Sequence, residues 1–117
     1  SVGKYMIEYL VTITIVNDTD EAQKLDIRFG KDDAPIGLGW QLMVGDGPAD
    51  LAQLEKLPVQ IGWAGQKRID DPPHNSMTML KDGPIELQPG AEKTVSIRSM
   101  VLGTSSLPYV LLVQPVD

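Results

Sequence analysis

Two stretches of period-two apolar alternation, one near each end of the chain, constrain what this sequence can fold into more than anything else in it. In the first, Tyr5, Ile7, Tyr9, Val11, Ile13 and Ile15 fall on one side of an extended segment, and in the second Val95, Ile97 and Val101 repeat the pattern. Successive strand side chains point to opposite faces, so this spacing lines one face of a sheet with apolar groups and does not fit the 3.6-residue period of a helix. The expected fold is therefore all-β, with stacked sheets closing on an apolar interior. No cysteine and no catalytic constellation lies between the two stretches.

Turn-forming residues cut the chain into short strands. Tyr5 to Val16 is rich in β-branched residues and ends at Asn17-Asp18-Thr19-Asp20, where short polar side chains bond their own backbone; a hairpin is expected to follow. From Gln23 to Phe29, the residues Leu25, Ile27 and Phe29 alternate with Lys24, Asp26 and Arg28, as on a half-buried strand with one solvated face. Lys31 to Pro35 is a loop, and Trp40 to Val44 reads as a short strand stopped by Gly45-Asp46-Gly47. Between Pro48 and Lys56 the period changes: Leu51 and Leu54 sit at helical spacing, Asp50 comes early and Lys56 late, which predicts one or two helical turns. Val59, Ile61 and Trp63 alternate again beyond Pro58, and Asp70 to Asn75 is a loop. Met77 to Leu80, Ile85 to Leu87, Lys93 to Leu102 and Tyr109 to Val113 complete the strands, with Asp82-Gly83 and Pro89-Gly90 as turns. About seven or eight short strands at this spacing favour an antiparallel sandwich over a meander.

Composition removes several functional classes. A chain of 117 residues is expected to form one domain over 1–117 and to bury a core without a metal or disulfide. Sixteen acidic against ten basic side chains give a formal charge of -6, which repels phosphate backbones and leaves no basic footprint, so nucleic acid is not expected as a partner. No stretch reaches the roughly 20 apolar residues of a membrane-crossing helix, so membrane insertion is not expected either.

The segment Leu87-Gln88-Pro89-Gly90-Ala91-Glu92-Lys93-Thr94-Val95 resembles the strand-closing corner of immunoglobulin-like modules in exported bacterial proteins. Gly3-Lys4-Tyr5 with Ile13, Ile15, Asn17, Asp18 and Thr19 is similar to the terminal module of a secreted cyanobacterial family. The resemblance implies an immunoglobulin-like β-sandwich of non-enzymatic use, placed extracellularly, in the periplasm or at the cell surface. It carries over no functional residue.

Each candidate for chemistry has ordinary packing or turn formation as its competitor. His74 with Met77 and Met79 offers an imidazole and two thioethers, a donor set suited to Cu(I), although Met residues alternating on a strand are more often core filler. The acidic groups Asp18/Asp20/Glu21, Asp32/Asp33 and Asp70/Asp71 lack the spacing of a dedicated calcium loop and read better as turn formers. Ser76, Ser96, Ser99, Ser105 and Ser106 have no nucleophile-elbow context, and no glycine-rich phosphate loop precedes a helix, so an enzyme is not expected and no cofactor is implied. Trp40 and Trp63 each follow a glycine, and if both were exposed on one face they would form a stacking platform for carbohydrate; core packing is the alternative.

The terminal strands carry the sharper inference. The second face of the first strand presents Met6, Leu10 and Val16 beside Glu8, Thr12 and Thr14, and Tyr109 to Val113 is apolar throughout. A solvated outer face does not look like that. Either the short helix around Leu51 and Leu54 or the long loop covers it within the same domain, or Met6, Leu10, Val110 and Leu112 mark an interface with a protein partner or a second copy. The expectation from sequence is thus a non-catalytic structural or interaction module, with carbohydrate binding as the alternative and copper binding behind it.

Overall fold

The computed structural model describes residues 6–30, 36–64, 76–102 and 110–116, with side chains described for all of these except 6, 7, 36, 64 and 102. Eight strands and one short helix follow in the order β1 (Met6–Val16), β2 (Gln23–Gly30), β3 (Ile36–Gly45), α1 (Leu51–Glu55), β4 (Gln60–Ala64), β5 (Ser76–Thr78), β6 (Ile85–Leu87), β7 (Glu92–Leu102) and β8 (Val110–Val116). They form an all-β sandwich of two antiparallel sheets. The first has the order β1-β7-β3-β4; in the second, β2 is central, with β8 along one edge and β5 and β6 sharing the other.

Alternation places the core where the sequence pattern puts it. Ile27 and Phe29 of β2 face Leu38 and Trp40 of β3 and Val95, Ile97 and Val101 of β7, with Met79 beside them, and all of these are buried. Phe29 and Trp40 meet edge to face with ring centroids 5.6 Å apart, and the buried indole N–H of Trp40 donates to the Met79 carbonyl at 3.0 Å. That bond removes the one polar liability of burying a tryptophan.

The expected hairpin after Asn17 does not form. β1 pairs with β7 over its whole length, from Met6 opposite Leu102 to Val16 opposite Glu92, and β2 lies in the other sheet. Asn17 is instead the junction between the sheets. Its side-chain amide donates to the carbonyls of Glu21 (2.8 Å) and Leu87 (3.0 Å), and its Oδ1 accepts from the backbone N–H (3.0 Å) and hydroxyl (2.6 Å) of Thr19. Its backbone N–H donates to Ala91, and its carbonyl accepts from Gly90. With its side chain turned inward, the residue ends a strand of one sheet while holding a strand of the other.

Helix α1 lies on the outer face of the first sheet, over β3 and β7. Five residues are too few to be helical by propensity alone, so the contacts decide. Asp50 caps the first turn in a capping box with Gln53, and Leu54 is buried. The Ala49 N–H donates to Ser96 Oγ, and the Gln41 side-chain amide donates to the Leu57 carbonyl at 2.7 Å. Arg98 then donates to Gln41 Oε1 (2.7 Å) and Glu8 (2.6 Å), so the polar groups beneath the helix are satisfied. The sequence expectation of a helical turn here holds, and the helix packs on β3 and β7 while Leu10 of β1 stays exposed. β3 itself is longer than expected, starting at Ile36, because Gly37 and Gly39 belong to the strand.

Candidate functional site

The free edge of β1 stands out among the described residues. Among the described residues β1 has a neighbour on one side only, β7, so its eleven residues run along the margin of the described sheet. The Asn17 N–H bonds the Ala91 carbonyl, in continuation of the β1–β7 ladder. Antiparallel ladders alternate between hydrogen-bonded and open pairs, so odd-numbered residues bond β7 and even-numbered ones turn their N–H and C=O groups outward. Natural sheets blunt such an edge with proline, lysine, a bulge or a short strand. β1 has no proline, glycine or lysine between positions 6 and 16, and its one charged side chain, Glu8, is held by Arg98. Leu10 is 59 % exposed and Val16 55 %. The other outer edges are shorter: β4 has five residues, and the seven of β8 include Pro115, which has no N–H.

β1 also overhangs the layer beneath it. Gly62 of β4 packs against Met77 of β5, which puts β4 and β5 on one side of the sandwich and leaves β1 and β8 on the other. The first sheet is four strands wide and the second three, because β5 and β6 share an edge of β2. Val11, Ile13 and Ile15 therefore stay only half buried although they point inward, and Tyr9 is exposed. On β8, Val113 faces inward beside Ile27 and is likewise exposed.

The four residues expected at an interface do not form one surface. Leu10 lies on the outer face of the first sheet, and Met6 holds the corresponding register position opposite Leu102. Val110, which is exposed, and Leu112, which is half buried opposite Arg28, lie on the outer face of the second sheet. Leu10 and the Val110–Leu112 pair thus lie on opposite sides of the sandwich, so no single flat partner reaches both. Around Leu112 the second sheet is polar: Arg28 bonds Ser76 and Asp26, and Thr78 Oγ1 donates to Asp26.

Nor do the two tryptophans share a platform. Trp40 is fully buried in the core, whereas Trp63 is half exposed on the outer face of β4. Its ring lies across Gly37 of the neighbouring strand, where a Cβ would come within 2.9 Å of it. Val59 and Ile61 accompany Trp63 on this face and are also exposed, so β4 turns its apolar row to solvent and its Gly62 to the core. Sequence reasoning could not have assigned that direction from β4 alone, since an apolar row usually faces inward.

Elsewhere the chemistry is sparse. A cleft of about 490 Å³ opens between the sheets, with Trp40, Leu42, Met79 and Ile85 in its wall and Lys81 and Asp82 at its mouth. The Lys81 ammonium sits 5.2 Å from the centre of the Trp40 ring. Met77 is half buried against the core and Met79 is buried within it, as core filler would be; His74 lies outside the described residues, as do Asp32, Asp33, Asp70 and Asp71. No cluster of three or more potential metal ligands occurs among the described residues. No helix there is long and apolar enough to cross a membrane. Among the described residues the one carboxyl with a displaced pKa is exposed Asp46, lowered below 3.8 by its 2.8 Å hydrogen bond from Lys93 and then by that residue's charge.

A scan against protein-family models, a search of curated proteins and a search of solved structures each found no match.

Proposed function

We propose that this domain is a non-catalytic interaction module that joins a protein partner by strand addition along β1. The observation that carries this reading is the eleven-residue edge, with outward-turned backbone groups and none of the residues that normally block pairing. Main-chain hydrogen bonds supply affinity in such a joint, and exposed side chains such as Leu10 and Val16 supply selectivity. The mostly apolar cleft, with one lysine and one aspartate at its mouth, supports binding better than acid–base chemistry. Trp63 is the ring left for sugar stacking, and its apolar companions Val59 and Ile61 favour a protein surface over a hydroxyl-rich ligand. A setting in an exported or cell-surface protein is the part of this reading that the Leu87–Val95 resemblance supplies.

Site-specific photocrosslinking in cells that make the protein tests the reading. A photoreactive phenylalanine analogue in place of Leu10 should capture a protein, whereas the same group in place of exposed Glu86, on the second sheet, should not. Equal capture at the two positions, or none at Leu10, overturns strand addition at this edge.

A further inference from the structure

We infer that the strand received by β1 is β1 of a second copy, paired antiparallel about a twofold axis through Val11. The inference rests on the strand-addition reading above and adds the partner and the register. An isologous antiparallel joint places its axis normal to the sheet, so position i faces position j with i and j both odd or both even. Inward side chains then meet inward ones, and the outward-turned backbone groups of the even positions meet each other.

Centring on Val11 is the one such arrangement that engages all of Met6–Val16. Met6 faces Val16 of the second copy, Glu8 faces Thr14, and Leu10 faces Thr12, each from both sides of the axis. These are six hydrogen-bonded pairs exchanging two bonds each, or about twelve main-chain bonds along about 36 Å of strand. On the inward face Tyr9 meets Ile13 and Val11 meets itself, with position 7 in register opposite Ile15, and aromatic–β-branched and paired β-branched contacts are the kind that stabilise neighbouring strands.

Charge agrees with this choice. Glu8 is the one charged side chain in β1, so a pairing centred on it would set two carboxylates face to face. In the Val11-centred register it faces a threonine hydroxyl instead. The overhang agrees as well: half-buried Val11, Ile13 and Ile15 gain a continuing sheet beside them, and among the described residues the narrower second layer leaves room for the second copy.

The chain has no cysteine, so introduced ones report the register without background. Val11 faces itself in an open pair, with Cα atoms about 4.5 Å apart, within the 4.4–6.8 Å range of a disulfide. Position 13 lies four residues off its own copy, about 14 Å away. Under oxidised glutathione, Val11→Cys should become a covalent dimer at least tenfold faster than Ile13→Cys, while the unmodified chain behaves as a dimer by light scattering at tens of micromolar. Thr12→Pro removes an outward N–H that β7 does not use and should weaken association at least tenfold with the fold retained by circular dichroism.

A chain monomeric up to millimolar concentration overturns the second copy, as does a dimer in which Val11→Cys has no advantage. In either case, Leu10 crosslinks to a different protein would leave the strand-addition reading standing. Crosslinks absent from Leu10 would remove both.

Discussion

Asn17→Asp is the sharpest probe of how the two sheets are joined, because it changes one NH₂ group to oxygen and leaves the shape almost untouched. The Asn17 amide donates to two carbonyls, Glu21 at 2.8 Å and Leu87 at 3.0 Å, from a side chain that is 4 % exposed. The substitution loses both bonds, each with a net value of about 1 kcal/mol, and sets a carboxylate oxygen against the buried Leu87 carbonyl, while the Glu21 carbonyl keeps the Thr19 hydroxyl at 3.0 Å. Leaving a buried acceptor unsatisfied costs about 1–3 kcal/mol, so a total loss of about 3–5 kcal/mol is expected. That is a large share of the roughly 5–15 kcal/mol that holds a domain folded. For 117 residues it corresponds to a melting temperature lower by about 10–25 °C. Urea unfolding should show the midpoint falling with the slope unchanged, which separates lost native stability from a change in the unfolded state. Asp18→Asn, at the exposed neighbour, is the control and should change stability by less than about 0.5 kcal/mol. A loss below about 1 kcal/mol for Asn17→Asp would refute the assignment of Asn17 as an inter-sheet junction.

Gly62→Ala should cost about 1–3 kcal/mol, since its Cβ would overlap the Met77 thioether, 2.6 Å from Cε, and approach Trp40 at 3.3 Å. Combining it with Met77→Ala should recover part of that loss in a denaturation double-mutant cycle, and strict additivity would show that the crowding lies elsewhere. Lys93→Met should let the Asp46 carboxyl rise toward 3.8 in an NMR titration, because the Lys93 hydrogen bond and charge are what lower it. The native pKa of Asp46 lies below its unfolded value, so the pair's contribution is present above about pH 4 and fades as acid protonates the group. The variant should lose that part of the acid sensitivity.

Where alternation and packing agree, the sequence was readable. Ile27 and Phe29, and Val95, Ile97 and Val101, are buried as their spacing requires, and Asp50 with Leu54 marks the helix. Strand partners were less legible. Asn17 to Asp20 has the composition of a hairpin turn, yet the inward bonds of Asn17 to Glu21 and Leu87 send the chain into the other sheet. Those bonds join positions up to seventy residues apart, which no local pattern encodes. The start of β3 was hidden because Gly37 and Gly39 interrupt its apolar pattern, and space near them is filled by Trp63 and Val59 across the sheet. The two tryptophans share the same local signal, a preceding glycine, and only the direction of β4 separates a core ring from a surface ring. At the candidate edge, the apolar character of β1 was visible from sequence, but its lack of a second neighbour among the described residues needed the topology.

The inward glycine of β4 has a consequence for fidelity of folding. Sliding that strand by one residue against β3 would send Ile61 or Trp63 into the small space that Met77 and Trp40 leave at Gly62. The slipped state would bury more oil-like surface and still be rejected on volume. Correct alignment is thus enforced by the smallest side chain in the strand, and enlarging it would loosen that selection as well as weaken the fold.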